Sequence, residues 1–188
     1  MIEGLVPTYS VLPEMRNPRE RSVPSTVIRR GVEEDWRVVR RLHIKLALEF
    51  PLVVDVELNE VLGTPDGYWQ NFAHMCALGT DQALFVAEVN ATCVGMGHVR
   101  LEDTLARLVM LYVEGSNRRQ GIGAALVAAQ ESWAHASGVT DMVCHIPDAS
   151  KGAWLAKELG WHRTEDVFYT KHGLKERMWI TEGHIDAG

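Results

Sequence analysis

The chain has little with which to cross-link itself. Three cysteines, Cys76, Cys93 and Cys144, are scattered through 188 residues without a pairing pattern. That usage points to a reducing compartment and makes the cytoplasm the expected location. No Cys-x-x-Cys or His-Glu-x-x-His spacing occurs and the eight histidines do not cluster, so no metal is expected. Long apolar runs are also missing. Nothing approaches the roughly 20 residues of a membrane span, and the first residues lack the basic flank and apolar stretch of a secretion signal. Repeats and low-complexity segments are absent. Stability must therefore come from a hydrophobic core, for which 46% hydrophobic residues in a chain of single-domain length suffice.

Positive charge is missing from one long stretch. Between Leu46 and Val99 there is no Lys or Arg, while Glu49, Asp55, Glu57, Glu60, Asp66, Asp81 and Glu88 give it a charge of −7. The net −6 therefore leaves +1 for the rest of the chain. An acidic balance argues against nucleic acid as a partner. The one-sided stretch is either a solvated acidic face or a field that gathers a cationic ligand.

Residues 1–25 form an N-terminal extension, interrupted by Pro7, Pro13, Pro18 and Pro24 with charges that cancel. It is either an unstructured arm or a segment that packs on a partner subunit, which leaves a homodimer open. The folded domain is expected over residues 26–181, with a C-terminal tail at 182–188. A strand at Thr26–Arg29 precedes a helix from Glu33 to Phe50, with Trp36, Val39, Leu42, Leu46 and Phe50 on one stripe and Pro51 ending it. A second helical region spans Leu58 to Leu78, broken between Gly63 and Gly67. Strands at Ala83–Val89 and Cys93–Leu101 flank a turn and form a hairpin, and Leu105–Val113 follows. A long helix, a strand at Met142–Ile146, a helix at Ser150–Leu159 and strands at Trp161–Thr170 and Arg177–Thr181 complete the order.

The chemistry concentrates between Leu108 and Ser137. An apolar strand runs to Val113, Arg118 to Gly123 form a Gly-bearing turn, and Ile122, Leu126 and Trp133 then recur at helical spacing up to Gly138. The first turn of a helix has amides without internal partners and a dipole that favours negative charge, so this construction suits phosphate. Arg118 and Arg119 would add charge-assisted donors. A P-loop needs Lys-Ser or Lys-Thr after its second glycine, and none is here; a dinucleotide fingerprint needs a third glycine where Leu126 stands. A kinase would need that Lys and the context for Mg²⁺ ligands.

What fits is Arg-x-x-Gly-x-Gly, from Arg118 through Gly121 to Gly123, directly after a strand. It resembles the acetyl-coenzyme A loop of the GNAT superfamily of N-acetyltransferases. Phe85 to Glu88, Val94 to Gly97 and Leu159-Gly160-Trp161 are similar to further landmarks of that family, and the element order from Thr26 to Thr181 matches it. The resemblance implies an α/β (α+β) single-domain fold. Its central sheet would be mixed and mainly antiparallel, flanked by helices, with the loop strand and its neighbour parallel and splayed to admit the cofactor.

The implied activity is transfer of an acetyl group from acetyl-CoA to a primary amine by direct attack in a ternary complex. The alternative is a catalytically weak acyl-CoA-binding regulatory module. By resemblance, Leu111, Tyr112 and Val113 offer backbone groups to the pantetheine arm. Arg118, Arg119, Gln120, Gly121, Ile122, Gly123 and Ala124 hold the pyrophosphate, and an amide near Leu111 faces the oxyanion. Ser150, Lys151 and Trp154 are further cofactor candidates. Many relatives carry a tyrosine, the proton donor to the thiolate, where this chain has Ala156. Thiols with a pKa of about 8.5 leave without much help, so its loss need not abolish turnover. His145 and Tyr169 are the candidates for proton transfer, one at the end of the strand bordering the slot and one on the penultimate strand. Glu88 and His98 on the hairpin are read as outward-facing polar residues, with a water-mediated relay of the amine's proton as their alternative role, and Glu114 as a residue that points to solvent beside the phosphate site. Asp55, Glu57, Tyr68 and Trp69 are expected to line the pocket of a cationic small-molecule amine, because the family's acceptor site coincides with the stretch that lacks Lys and Arg.

Overall fold

The computed structural model describes residues 25–52, 58–147, 150–170 and 172–181. The expected arm (apart from Ser25) and the tail lie outside these. Strand β1 (Thr26–Arg30) leads through a 3₁₀ turn at Glu33–Asp35 into α1 (Trp36–Glu49). The buried Asp35 carboxylate organises that junction. It accepts the Val32 N–H at 2.9 Å and both terminal nitrogens of Arg29, at 2.7 and 2.9 Å. Helices α2 (Leu58–Gly63) and α3 (Asp66–Leu78) follow, separated at Thr64 and Pro65; α3 ends on Gly79 at φ +67, a left-handed position suited to glycine.

Strands β2 (Gln82–Val89) and β3 (Thr92–Glu102) form the expected hairpin, its two-residue turn held by Asn90 and Ala91 at φ 49 and 60. Then come β4 (Leu105–Val113), α4 (Ile122–Ala136), β5 (Asp141–Pro147), α5 (Lys151–Glu158), β6 (His162–Tyr169) and β7 (Lys175–Ile180). Among the described residues seven strands lie in the order β1-β2-β3-β4-β5-β7-β6, and of their neighbouring pairs only β4 and β5 run parallel.

Each face of the sheet buries its own core. Val39, Leu42 and Leu46 of α1, Val61 of α2 and Trp69 and Cys76 of α3 pack on Leu84, Val86, Met96 and Tyr112. On the other face Ile122, Leu126, Val127 and Ala134 of α4 and Ala153 and Ala156 of α5 cover Phe85, Val94, Val99, Ala106 and Val113. Gly97 lets α4 lie close to β3, since a Cβ there would sit 2.7 Å from Gln130 Oε1, and Gly95 makes room for β4, since a Cβ there would sit 2.9 Å from the Tyr112 carbonyl oxygen. Close packing leaves no room for even a methyl group at either place.

His98, read from sequence as outward-facing, is buried. A bulge where His98 and Val99 face Met110 and Leu108 shifts the alternation, and its ring meets Phe72 edge-on with centroids 4.9 Å apart. Burial, helped by the charge of Arg100, pushes the imidazole down to about 4, and burial also lowers His43 from its ordinary value. Both rings are neutral in the fold, whereas the unfolded chain takes up protons near 6.5. The stability they confer is full above that value and is lost as the pH falls toward the folded-state values. Urea unfolding at pH 5 against pH 7 should show a loss of about 2 kcal/mol traceable to His98, and His98→Gln should flatten that difference.

Candidate active site

Strand β4 begins beside β5 and then leaves it. Parallel pairs join Leu105, Ala106 and Arg107 to Asp141, Met142 and Val143, and no further pairs follow although both strands continue. Just past the parting, Val109 is the extra residue of the β4 bulge opposite His98 and Val99. Among the described residues the β4 edge from Leu108 onward has no strand partner on the β5 side, so its backbone groups border a wedge-shaped slot.

At the far end of β4 the chain turns through Gly115–Asn117 into α4. Arg119 and Gly121 both sit in the left-handed region, at φ 64 and 80. No side chain caps α4, and its first internal bond runs from the Ala125 N–H to the Gly121 carbonyl. The amides of Ile122, Gly123 and Ala124 therefore start the helix without intrahelical acceptors. Space in front of Gly121 is open. A turn of free amides with room before it, continuing into an unpaired strand edge, fits a diphosphate carrying an extended arm.

The candidate cofactor residues divide by role. Ile122 is core, and Gly123 allows Leu155 of α5 to approach, since a Cβ there would meet Leu155 Cδ2 at 3.3 Å. Arg119 lies over the Trp154 ring at 4.8 Å, joining the turn to α5, while Gln120 donates to the Ser116 carbonyl at 3.3 Å. Ser150 caps α5 by accepting the Ala153 N–H at 3.2 Å, and Lys151 is exposed beside it. Arg118 corrects the expectation of a side-chain phosphate donor. Its Nε donates to the Val113 carbonyl at 2.7 Å, and Nη1 and Nη2 hold the two carboxylate oxygens of Glu49, the second at 2.6 Å. The Val113 carbonyl, expected to serve the pantetheine, is thereby occupied.

His145 projects from β5 two residues beyond the last β4 pair. Its Nε2 lies 3.2 Å from Arg107 Nη1, and Phe168 stacks on the ring at 4.0 Å. Arg107 is held in turn by Glu102, Nε to Oε2 at 2.8 Å. A guanidinium can only donate, so Nε2 must be the lone-pair nitrogen and the proton sits on Nδ1. Burial and the Arg107 charge keep the ring below its ordinary pKa against the opposing pull of Glu102. Tyr169 does not join this group. Alternation along β6 sends Phe168 to His145 and Tyr169 to the opposite face of the edge strand, 68% exposed. Ala156, in the tyrosine's usual place, is buried in the α4–α5 core.

Of the expected acceptor residues, Asp55 and Glu57 lie outside the described residues. Tyr68 is exposed on α3, but Trp69 turns inward, 3% exposed and 5.2 Å from the His43 ring, so it is a core side chain and lines no open pocket. Cations from outside the acidic stretch also reach into it. Arg29 meets Glu88 at 2.8 Å, Arg40 approaches Asp66 at 3.8 Å, and Arg118 takes Glu49. Glu114, read as solvent-facing, accepts from Lys45 at 2.8 Å. Sequence reasoning missed Glu49, Glu102, Arg107 and Phe168. Alternation from the slot could have suggested Arg107; nothing local signals the others. Among the described residues no group of three His, Cys, Asp or Glu side chains could hold a metal, and no helix is long and apolar enough to cross a membrane.

Such a slot, ending on an open helix start, defines a class of acyl-group transferases. Residues 80–176, just over half of the chain, match the acetyltransferase (GNAT) domain. The protein belongs to the GNAT acetyltransferase family. No curated protein matches the chain in sequence. Its fold is similar to that of a GNAT-family acetyltransferase from Streptococcus pneumoniae, at 15% identity and TM-score 0.72 over 84% of this chain and 98% of that one. It is also similar to PaiA N-acetyltransferase from Thermoplasma acidophilum in complex with coenzyme A, at 15% identity and TM-score 0.68 over 85% and 99%. YncA from Salmonella typhimurium, solved with acetyl-CoA, matches at 16% identity and TM-score 0.69 over 87% and 96%.

Gly121 separates charge from strain in a test. A Gly121→Glu chain should stay folded yet lose coenzyme A binding by calorimetry, because a carboxylate then stands before the open amides. Gly121→Ala pays only the left-handed backbone strain of about 1–2 kcal/mol and should keep most of the affinity. Equal affinities for Gly121→Glu and the parent would remove the diphosphate assignment.

Proposed function

We propose that this acetyltransferase moves an acetyl group from acetyl-CoA to a primary amine by direct attack in a ternary complex. The observation that carries this reading is the succession of two features: a β4 edge that leaves its β5 partner leads, through one short turn, to the uncapped start of α4. Acetyl-CoA brings its acetyl group already activated as a thioester. The amides of Ile122, Gly123 and Ala124 hold the diphosphate, the edge of β4 orients the arm, and an amide near Leu111 faces the oxygen on which charge develops. His145 holds a proton at Nδ1 that it can direct at negative charge in the slot, with Phe168 and Arg107 fixing the ring. Tyr169, on the other face of an edge strand, has no part in this mechanism.

A cationic small-molecule acceptor is supported by the stretch without Lys or Arg. With Glu49, Asp66 and Glu88 drawn toward arginines, that support rests on the other four acidic residues, of which Asp55 and Glu57 are the pocket candidates. Asp55→Asn with Glu57→Gln should raise KM for cationic amines while leaving that for acetyl-CoA alone; a preference of the parent for acidic amines would reject the idea. Ala156 favours the second reading, a module that binds acyl-CoA and turns it over weakly.

Thiol release during incubation with an amine panel separates the two readings. Cys76 and Cys144 are buried with their thiols raised by burial, and the half-buried Cys93 gives a background that a reaction without amine subtracts. Turnover supports the enzyme, and tight binding without turnover supports the module. His145→Ala should lower kcat by about 10²-fold with coenzyme A affinity unchanged. The attacking amine must be neutral, so the parent's rate falls first with the amine's own titration. A second, lower acid limb should follow below 6.5, because protonating Nε2 displaces Arg107 and His145 is held below its ordinary value. That acid limb should vanish in His145→Ala.

A further inference from the structure

Arg118 opens the phosphate-loop motif, yet its guanidinium is taken up by protein partners. Each of its three nitrogens has a protein partner: Nε has the Val113 carbonyl at 2.7 Å, and Nη1 and Nη2 have Glu49. Two rings enclose it, Phe50 at 5.3 Å and Tyr112 at 5.6 Å from the guanidinium carbon. Tyr112 also donates its hydroxyl to Glu49 Oε2 at 3.2 Å. The Arg118 hydrogen bonds hold the Glu49 carboxyl below its ordinary value, with Lys151 from α5 adding to the positive field there. One turn earlier on the same face of α1, Lys45 meets Glu114 at the start of the loop, 2.8 Å away. Two ion pairs thus join the last turns of α1 to the segment between β4 and α4.

We propose that Glu49 and Arg118 form one positioning unit, a clasp that sets the phosphate loop in its binding conformation from the C-terminal end of α1. The proposal rests on the reading of this loop as the coenzyme A site. Glu49 stands 69 positions before Arg118 and belongs to a different layer of the fold. A bidentate carboxylate and a backbone acceptor fix the guanidinium plane, which fixes the turn that presents Gly121 and the α4 amides. The same clasp anchors Phe50, from which the chain continues toward Asp55 and Glu57. Glu49 is accordingly a positioning residue, and Arg118 acts through the loop backbone; neither touches the diphosphate.

The competing role for Arg118, a direct phosphate ligand, makes opposite predictions for Glu49. Coenzyme A affinity is measured by calorimetry on the full chain for Glu49→Gln, Arg118→Gln, Arg118→Lys and the Glu49→Gln/Arg118→Gln double variant. Thermal unfolding of each free protein is recorded alongside. A clasp predicts that Glu49→Gln and Arg118→Gln each weaken binding by about tenfold and that the double variant is no weaker than either, since both remove one unit. Arg118→Lys, which keeps the charge and loses the fork, should weaken binding by a similar factor. Unchanged or tighter binding in Glu49→Gln, or near-parental affinity in Arg118→Lys, would overturn the proposal. If a variant melts before binding can be read, Arg118→Lys decides alone. Failure of the parent chain to bind coenzyme A would instead sink the reading of the site, a result distinct from any of these.

Discussion

The parting of β4 from β5 after Arg107 is the constraint from which the rest of the site follows. A sheet normally pairs its strands along their whole length, because unpaired backbone amides and carbonyls are costly to bury. Here three parallel pairs are made and the strands then separate, so backbone groups on the β4 edge are left for something outside the sheet. The bulge at Val109 falls just beyond the last pair, where an extra residue bends one strand and adds twist. The parted strands stay covered on both sides, by the core under α1 to α3 on one face and the core under α4 and α5 on the other.

The phosphate turn is likewise fixed by packing more than by its own sequence. Two left-handed residues, Arg119 and Gly121, give the chain its sharp reversal into α4. For glycine that conformation is cheap, but for arginine it costs energy that the surroundings must offset. The stack of Arg119 on Trp154 and the grip of Arg118 on Glu49 supply contacts on either side. The loop is thereby tied to α5 on one side and to α1 on the other.

Much of this was legible in the sequence, and the boundary of legibility is physical. Periodicity placed the helices and strands because each buries one face. The run from Leu108 into Arg118 to Gly123 marked the anion site because strand, glycine turn and helix start are adjacent along the chain. Side-chain partnerships across the fold were not legible. Arg118 looked like a phosphate donor because its partner Glu49 lies in another layer. The −7 stretch looked like an open field because Arg29, Arg40 and Arg118 reach it from outside. Phase was the other loss. Tyr68 and Trp69 are neighbours on α3, and only packing against His43 decides that Trp69 goes inward. The bulges in β3–β4 and in β6 shift alternation, which hid the burial of His98 and put Phe168, not Tyr169, on His145.

The absence of a tyrosine on α5 takes a different meaning from this geometry. Ala156 is packed with Ala153 in the core that joins α5 to the sheet, and Leu155 presses on Gly123 at the start of α4. A phenol at Ala156 would have to find room in that core. On the proposed reading the proton-bearing group at the slot comes from the sheet instead, and His145 is the candidate: it lies just past the parting, on the face opposite α5. Glu102 holds Arg107, Arg107 fixes the imidazole by its Nε2 edge, and Phe168 covers one ring face. A histidine so restrained stays neutral near pH 7 and offers one N–H in one direction, which is what a hydrogen-bond donor to developing charge requires.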